Sequence, residues 1–190
     1  MYEQVSAWWP RKTLLGAAGL TLLFWLLLVL EGRPKWCKYG LGLWSSAFNH
    51  CTSQNFIDPY SLSHFLHGVI FFWMLKPLAA RFSLSTRFLI ALAVEIGWEL
   101  LENSPWVIER YRQNTASLDY AGDSILNSLG DLASAAVGFL VAAKFSWKAA
   151  IAMFAVCELS LLYLARDTLT FNVIMLIYPF EVIKEWQLGG

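Results

Sequence analysis

Two histidines three positions apart, His64 and His67, sit in an otherwise apolar run, Leu62-Ser63-His64-Phe65-Leu66-His67-Gly68-Val69-Ile70. Further along, Glu95, Glu99 and Glu102 are spaced i, i+4, i+7, and Asp123, Asn127 and Asp131 are spaced i, i+4, i+8. On a helix, residues at such offsets share a face. Imidazoles turned toward a carboxylate stripe make a ligand set suited to a divalent transition metal such as zinc, iron or manganese. The expected metal ligands are His64, His67, Glu95, Glu99, Glu102, Asp123 and Asp131. Without a metal, neighbouring carboxyls cannot all ionise, and a close pair can serve as general acid and base. Glu99, Glu102, Asp123 and Asp131 are the expected catalytic groups, with Arg166 expected to hold a phosphate. The chain has no G-x-S-x-G and no H-E-x-x-H, so nothing supports serine-hydrolase or zincin chemistry.

Each of these residues also has a plainer reading. His64 and His67, near a helix start, can donate to carbonyls or loop groups. The three glutamates can be buried hydrogen-bonders. Asp123 can be a helix cap, and Glu158 with Arg166 an ion pair between helix turns. Asp131, in mid-helix, has no capping role to fall back on. Cys37 and Cys51 lie in one loop and can form a disulfide on an oxidising face. Cys157 reads as inert packing.

The elements that position these groups are membrane helices. Of 190 residues, 57% are hydrophobic and only 15% charged, with a mean hydropathy of +0.50. Soluble domains carry about 25% charged residues. Composition therefore indicates an all-α integral membrane bundle of five or six transmembrane helices in a single domain. Fourteen basic and fourteen acidic residues leave no net charge, and no nucleic-acid partner is expected. A span needs roughly 20 mostly apolar residues. The expected spans are 13–30, 61–80, 87–103, 122–143 and 148–165, and 169–183 spans or lies in the interface. Residues 31–60 form one long outer loop. The first run is too long for the hydrophobic region of a signal peptide and lacks a small-residue cleavage site, so it reads as retained.

Lys and Arg in short loops set the orientation. With the N-terminus inside, Arg11, Lys12, Lys76, Arg81, Arg87, Lys144, Lys148 and Lys184 fall inside. Arg33, Lys35, Lys38, Arg110, Arg112 and Arg166 fall outside. The intramembrane polar residues then gather in the outer half, and Glu95, Asp131 and Glu158 share a similar depth. Carboxylates in the bilayer core cost at least about 2.5 kcal/mol each, so they must turn inward to a common cavity. Gly130, Ser134 and Gly138 form a small-residue ridge that admits another helix closely.

The stretches Asp58-Pro59-Tyr60-Ser61-Leu62-Ser63-His64-Phe65-Leu66-His67-Gly68, Glu95-Ile96-Gly97-Trp98-Glu99-Leu100-Leu101-Glu102-Asn103-Ser104-Pro105 with Ile108-Glu109-Arg110-Tyr111, Gly122-Asp123-Ser124-Ile125-Leu126-Asn127-Ser128-Leu129-Gly130-Asp131 and Arg166-Asp167-Thr168-Leu169-Thr170-Phe171-Asn172 resemble a family of small multi-pass inner-membrane proteins. That family is found mainly in alphaproteobacteria and is known as a domain of unknown function. The resemblance covers roughly residues 33–187. It implies a multi-pass protein of the bacterial inner membrane and brings no established activity. The family pattern has Cys-x-Cys-Gly and Ser-Gln-His in the loop. Here those positions read Cys37-Lys38-Tyr39-Gly40 and Ser53-Gln54-Asn55. If the loop held a metal in the family, this chain has lost that site.

Three functions fit these features. The first is an enzyme acting at the outer, periplasmic leaflet on a lipid or lipid-linked substrate, with the N-terminus cytoplasmic. The second is a carrier of metal ions or protons, disfavoured because the inner half of every helix is apolar. The third is a subunit or assembly factor of a larger membrane complex. Membrane lipids are the expected partners in all three.

Overall fold

The computed structural model describes residues 10–115, 117 and 119–189. The first nine residues, on which the expected side of the N-terminus falls, lie outside the described residues. Among the described residues the chain is helical with no strand beyond an isolated bridge between Trp44 and Ile57. The helices are α1 (Arg11–Leu30), α2 (Ser61–Leu75), α3 (Leu84–Glu102), α4 (Pro105–Asn114), α5 (Ile125–Ala142), α6 (Trp147–Ala165), α7 (Leu169–Ile177) and α8 (Glu181–Gln187). A 3-10 turn over Lys76–Ala80 extends α2 at Pro77, whose ring cannot donate to an α-helical ladder.

Among the described residues, four helices are long and apolar enough to cross a membrane: α1, α2 with its 3-10 extension, α5 and α6. The 19 residues of α3 match them in length, but Arg87, Glu95, Glu99 and Glu102 make it less apolar. Arg87, Glu95 and Glu99 are all buried inside the bundle, where protein rather than lipid surrounds them.

Hydroxyl caps set many of the boundaries. Ser83, Ser104, Ser124, Ser146 and Thr168 each accept from the backbone N–H three residues on, beginning α3, α4, α5, α6 and α7. Pro105 does more than end α3. It occupies the first turn of α4, a helix that replaces part of the connection expected between spans. The expected run 169–183 is broken at Tyr178 and Pro179 into α7 and α8. At 1.5 Å per residue, the nine residues of α7 do not cross a bilayer.

The centre of the bundle is the crossing of α2 and α5. The backbones meet because glycine faces backbone: a Cβ at Gly68 would overlap the Ala135 carbonyl, and one at Gly138 would overlap the Phe65 carbonyl. The small-residue ridge on α5 thus receives α2, with Gly68 as the matching notch. Below this crossing Phe72, Phe88, Leu92, Phe139 and Ala142 form an apolar core. Phe139 stacks edge-on against both Phe72 and Phe88, at 5.4 and 5.5 Å.

The loop 31–60 docks onto the start of α5. Ile125 N–H donates to the Pro34 carbonyl, Leu126 N–H to Lys35 and Ser124 N–H to Ser53. These satisfy the donors a helix start leaves open. Asn127 Nδ2 reaches back to the Asn55 carbonyl at 2.9 Å. A disulfide between Cys37 and Cys51, with Cα atoms 5.4 Å apart, closes the loop. Gly122 has φ +79°, and a side chain there would also strike the Arg33 guanidinium.

Candidate His and carboxylate site

Helix α2 presents His64 and His67 one turn apart, and α3 presents Glu95, Glu99 and Glu102 along the facing stripe. His64 Nδ1 lies 2.7 Å from Glu95 Oε1 and 3.1 Å from Glu99 Oε1. His67 Nδ1 lies 3.2 and 3.1 Å from the two Glu95 oxygens. Glu95 and Glu99 are wholly buried. The ring nitrogen of His64 is aligned on Glu95, so its proximity to Glu99 does not amount to a hydrogen bond. Neither oxygen of Glu99 has a hydrogen-bond partner, and neither does Glu102 Oε2. Such orphaned acceptors are uncommon in folded interiors.

Two overlapping groups of ligand atoms result. His64, His67 and Glu95 form one, and His64, Glu99 and Glu102 form the other, each with ligand atoms within 4.8 Å of one another. Tetrahedral coordination with bonds of about 2.0–2.2 Å puts neighbouring ligand atoms roughly 3.4 Å apart. The nitrogen–oxygen separations of 2.7–3.2 Å need to open by about 0.2–0.7 Å for a cation to enter. The donor set therefore suits a metal.

Asp123 and Asp131 line the same cavity but are held by protein donors. Ser61 Oγ donates to Asp131 Oδ1 at 2.6 Å. Tyr120 OH and Asn103 Nδ2 donate to Asp123, and Asp123 N–H donates to Asn103 Oδ1. Asp123 stands one residue before Ser124, which is the actual cap of α5. Beneath the loop, burial pushes the Asp58 carboxyl up to about 6, although the Ser53 and Tyr60 N–H groups hold it back. Burial likewise pushes Tyr120 well above the usual phenol range.

Arg166 is not part of this arrangement. It ends α6 in the left-handed conformation, φ +51°, with an exposed side chain, and it does not line the cavity. The left-handed residue turns the chain at the end of the helix and leaves the guanidinium outside. Nor does Glu158 pair with it. Glu158 accepts from the Leu169 and Thr170 N–H groups at the start of α7.

The cavity has a volume of about 350 Å³ and joins His64, His67, Glu102, Asp123 and Asp131 to a wall of aromatic and aliphatic side chains. Sequence spacing did not single out Tyr111 and Asn172, although both line it. Tyr111 OH lies 3.1 Å from Glu102 Oε1 and 2.6 Å from Asn172 Oδ1, tying α4 and α7 to the end of α3. Asn172 Nδ2 continues to Asp167, which also accepts from Gln187 of α8. The signal for these residues was faint: the Tyr111 and Asn172 positions both belong to the resembling stretches, but nothing in their spacing points at Glu102.

A bundle of apolar helices around a buried cluster of histidines and carboxylates defines a helical membrane protein with a candidate metal centre. The chain belongs to the family described as "Protein of unknown function (DUF2585)", which matches residues 28–189. It is similar to a UPF0314 protein of Brucella anthropi, 46% identical over 85% of this chain and 83% of that protein. A UPF0314 protein of Sphingopyxis alaskensis is 42% identical over 95% of this chain and 97% of its own length. One of Rhizobium meliloti is 42% identical over 93% and 90%. No solved structure matches the chain.

Proposed function

We propose that this protein is a membrane-embedded, metal-dependent enzyme of the bacterial inner membrane that acts on a lipid or lipid-linked substrate. The observation that carries this reading is Glu99, a wholly buried carboxylate with no hydrogen bond to either oxygen, set beside His64 and Glu95. A buried carboxylate that accepts no hydrogen bond is costly, and a divalent cation among His64, His67, Glu95 and Glu99 would offset that cost. Zinc, iron or manganese suits the mixed imidazole and carboxylate set. Such an ion supplies Lewis acidity and a more acidic bound water. Glu102 and Asp123 face the same cavity as acid and base, and Ser61 fixes Asp131.

An ion or proton path would need polar groups through the whole bundle. The stacked Phe72, Phe88 and Phe139 below the site argue against that reading. The basic loops favour a cytoplasmic N-terminus and a cavity open to the periplasm. Reporter fusions at Gly32, Arg81, Gln113 and Lys144 should alternate in activity, and a failure to alternate overturns the orientation. The metal reading is tested on detergent-purified protein stripped with chelator and reloaded with zinc or manganese. The expected result is about one equivalent bound, lost in His64→Ala and Glu99→Ala. A reloaded wild type with no bound metal overturns it.

A further inference from the structure

The cavity has two unlike walls. One is polar: the carboxyls and imidazoles above, with the hydroxyl-bearing Ser53, Ser63, Ser117 and Tyr120. The other is apolar and built from two helices. Val94 and Trp98 of α3 face Val173 and Leu176 of α7 across the cavity. Val94 is 49% and Val173 47% exposed. In a membrane-spanning bundle, exposed valines beside an apolar wall are placed to meet acyl chains, which opens that wall to lipid. Its inner end meets the candidate ligands directly: Trp98 packs edge-on against His67 at 6.0 Å, and Phe71 lies 5.9 Å from the same ring.

Apart from the His64 and His67 imidazoles, the ionisable groups lining this cavity are carboxyls and phenols. No Lys or Arg is among its lining residues. Four cations of the neighbouring segments are held by backbone carbonyls, and Arg166 points away from the cavity. Arg33 donates to Asp123 and Ala121. Arg110 donates to Leu176 and Ile177, Arg112 to Tyr120, and Lys184 to Gln113. Glu102, Asp123 and Asp131 line the cavity, and Glu95 and Glu99 stand behind it against His64 and His67. An anionic headgroup would therefore meet carboxyls and hydroxyls with no lining guanidinium or ammonium to receive it.

We infer that the cavity takes a lipid with an uncharged, hydroxyl-bearing headgroup, such as a glyceride or glycolipid, entering sideways between α3 and α7. The acyl chain lies along Val94, Trp98, Val173 and Leu176, and the hydroxyls meet the serine and carboxyl wall. A cavity of about 350 Å³ is at the lower end of the size range of small-molecule sites, roughly 300–1,000 Å³, and suits a headgroup with the first part of a chain. This assignment rests on the reading of the same cavity as the reaction centre.

The test uses the full chain in detergent with a monoacylglycerol carrying a photoreactive diazirine in its acyl chain. Crosslinks should map by mass spectrometry to peptides containing Val94–Trp98 and Val173–Leu176. Competitors share one oleoyl or oleyl chain: monooleoylglycerol, oleoyl lysophosphatidate and oleylamine. Monooleoylglycerol should suppress labelling at concentrations about tenfold lower than either charged lipid, a difference of about 1.4 kcal/mol. Val94→Trp and Val173→Trp, on opposite rims, should each reduce labelling about tenfold while bound zinc is retained. Either variant suffices if the other fails to fold. Equal or better competition by the phosphate or amine lipid overturns the inference, as does labelling away from α3 and α7. Zinc binding without labelling defeats this inference alone. Labelling at the mouth without zinc binding defeats the metal reading and leaves the lipid path standing.

Discussion

Replacing Glu99 by Gln separates a metal ligand from a structural carboxylate by the sign of its effect. The change keeps the shape and removes the charge. In the metal-free protein Glu99 is wholly buried and its oxygens accept no hydrogen bond. Leaving a buried polar group unpaired costs about 1–3 kcal/mol, more when it is charged. Stripped Glu99→Gln should therefore equal or exceed stripped wild type in stability, by up to about 3 kcal/mol. For a chain of this length each kcal/mol moves the melting midpoint by about 2–4 °C. With zinc the order reverses. A site saturated at a hundredfold over its dissociation constant adds about 2.7 kcal/mol to the wild type, about 5–11 °C, and little to the variant. The assay is intrinsic tryptophan fluorescence on heating, in detergent, with chelator and then with zinc. The reasoning fails if zinc raises both proteins equally, or if the stripped variant melts well below the stripped wild type.

Gly138→Ala should destabilise the bundle by about 1–3 kcal/mol or more, since its Cβ would overlap the Phe65 carbonyl; Gly97→Ala, where a Cβ meets nothing within 4 Å, is the control, and equal melting of the two would refute the α2–α5 contact. Removing the Cys37–Cys51 disulfide should cost about 3 kcal/mol for a loop of this size and loosen the loop's hold on α5, read as faster proteolysis between residues 37 and 51. Stability should also fall as pH rises. Burial raises the Asp167 carboxyl to about 7 from 3.8, so the folded chain holds a proton that the unfolded chain releases. The stabilisation is complete below the unfolded value and lost through pH 7. Asp167→Asn should flatten the melting profile between pH 5 and 8; an unchanged slope would remove Asp167 as its source.

The spans were legible because lipid imposes a simple rule, roughly 20 apolar residues at a time, and the runs at α1, α5 and α6 obey it without exception. α3 was legible for a different reason: its glutamates recur on a single face, which marks a helix turned inward. The short helices were not. α4 follows a proline, which reads as a stop until one sees that position N1 of a new helix tolerates the missing N–H. α7 and α8 read as one run because their residues are apolar enough to span, and only the extended backbone at Tyr178 divides them. The docking of loop 31–60 on α5 was invisible for a deeper reason. It is made by backbone carbonyls of Pro34, Lys35 and Ser53, which any residue supplies.

The same distinction governs the site. Residues whose types carry the chemistry, His64, His67, Glu95, Glu99 and Glu102, reveal themselves by periodicity, since helices α2 and α3 turn a spacing into a direction. Residues that act by arriving from elsewhere do not. Tyr111 reaches Glu102 and Asn172 accepts from Tyr111 where Arg110 binds the last carbonyls of α7, Leu176 and Ile177, and so clamps α4 against it. That clamp occupies a guanidinium that spacing alone would leave free for a phosphate, as it did Arg166. The sequence pattern finds the acids and the imidazoles. Which cations remain for a substrate depends on which carbonyls have taken them, and around this cavity the carbonyls hold Arg33, Arg110, Arg112 and Lys184. The selectivity for uncharged substrates that we infer would thus arise from backbone geometry, the feature of a fold least visible in its residues.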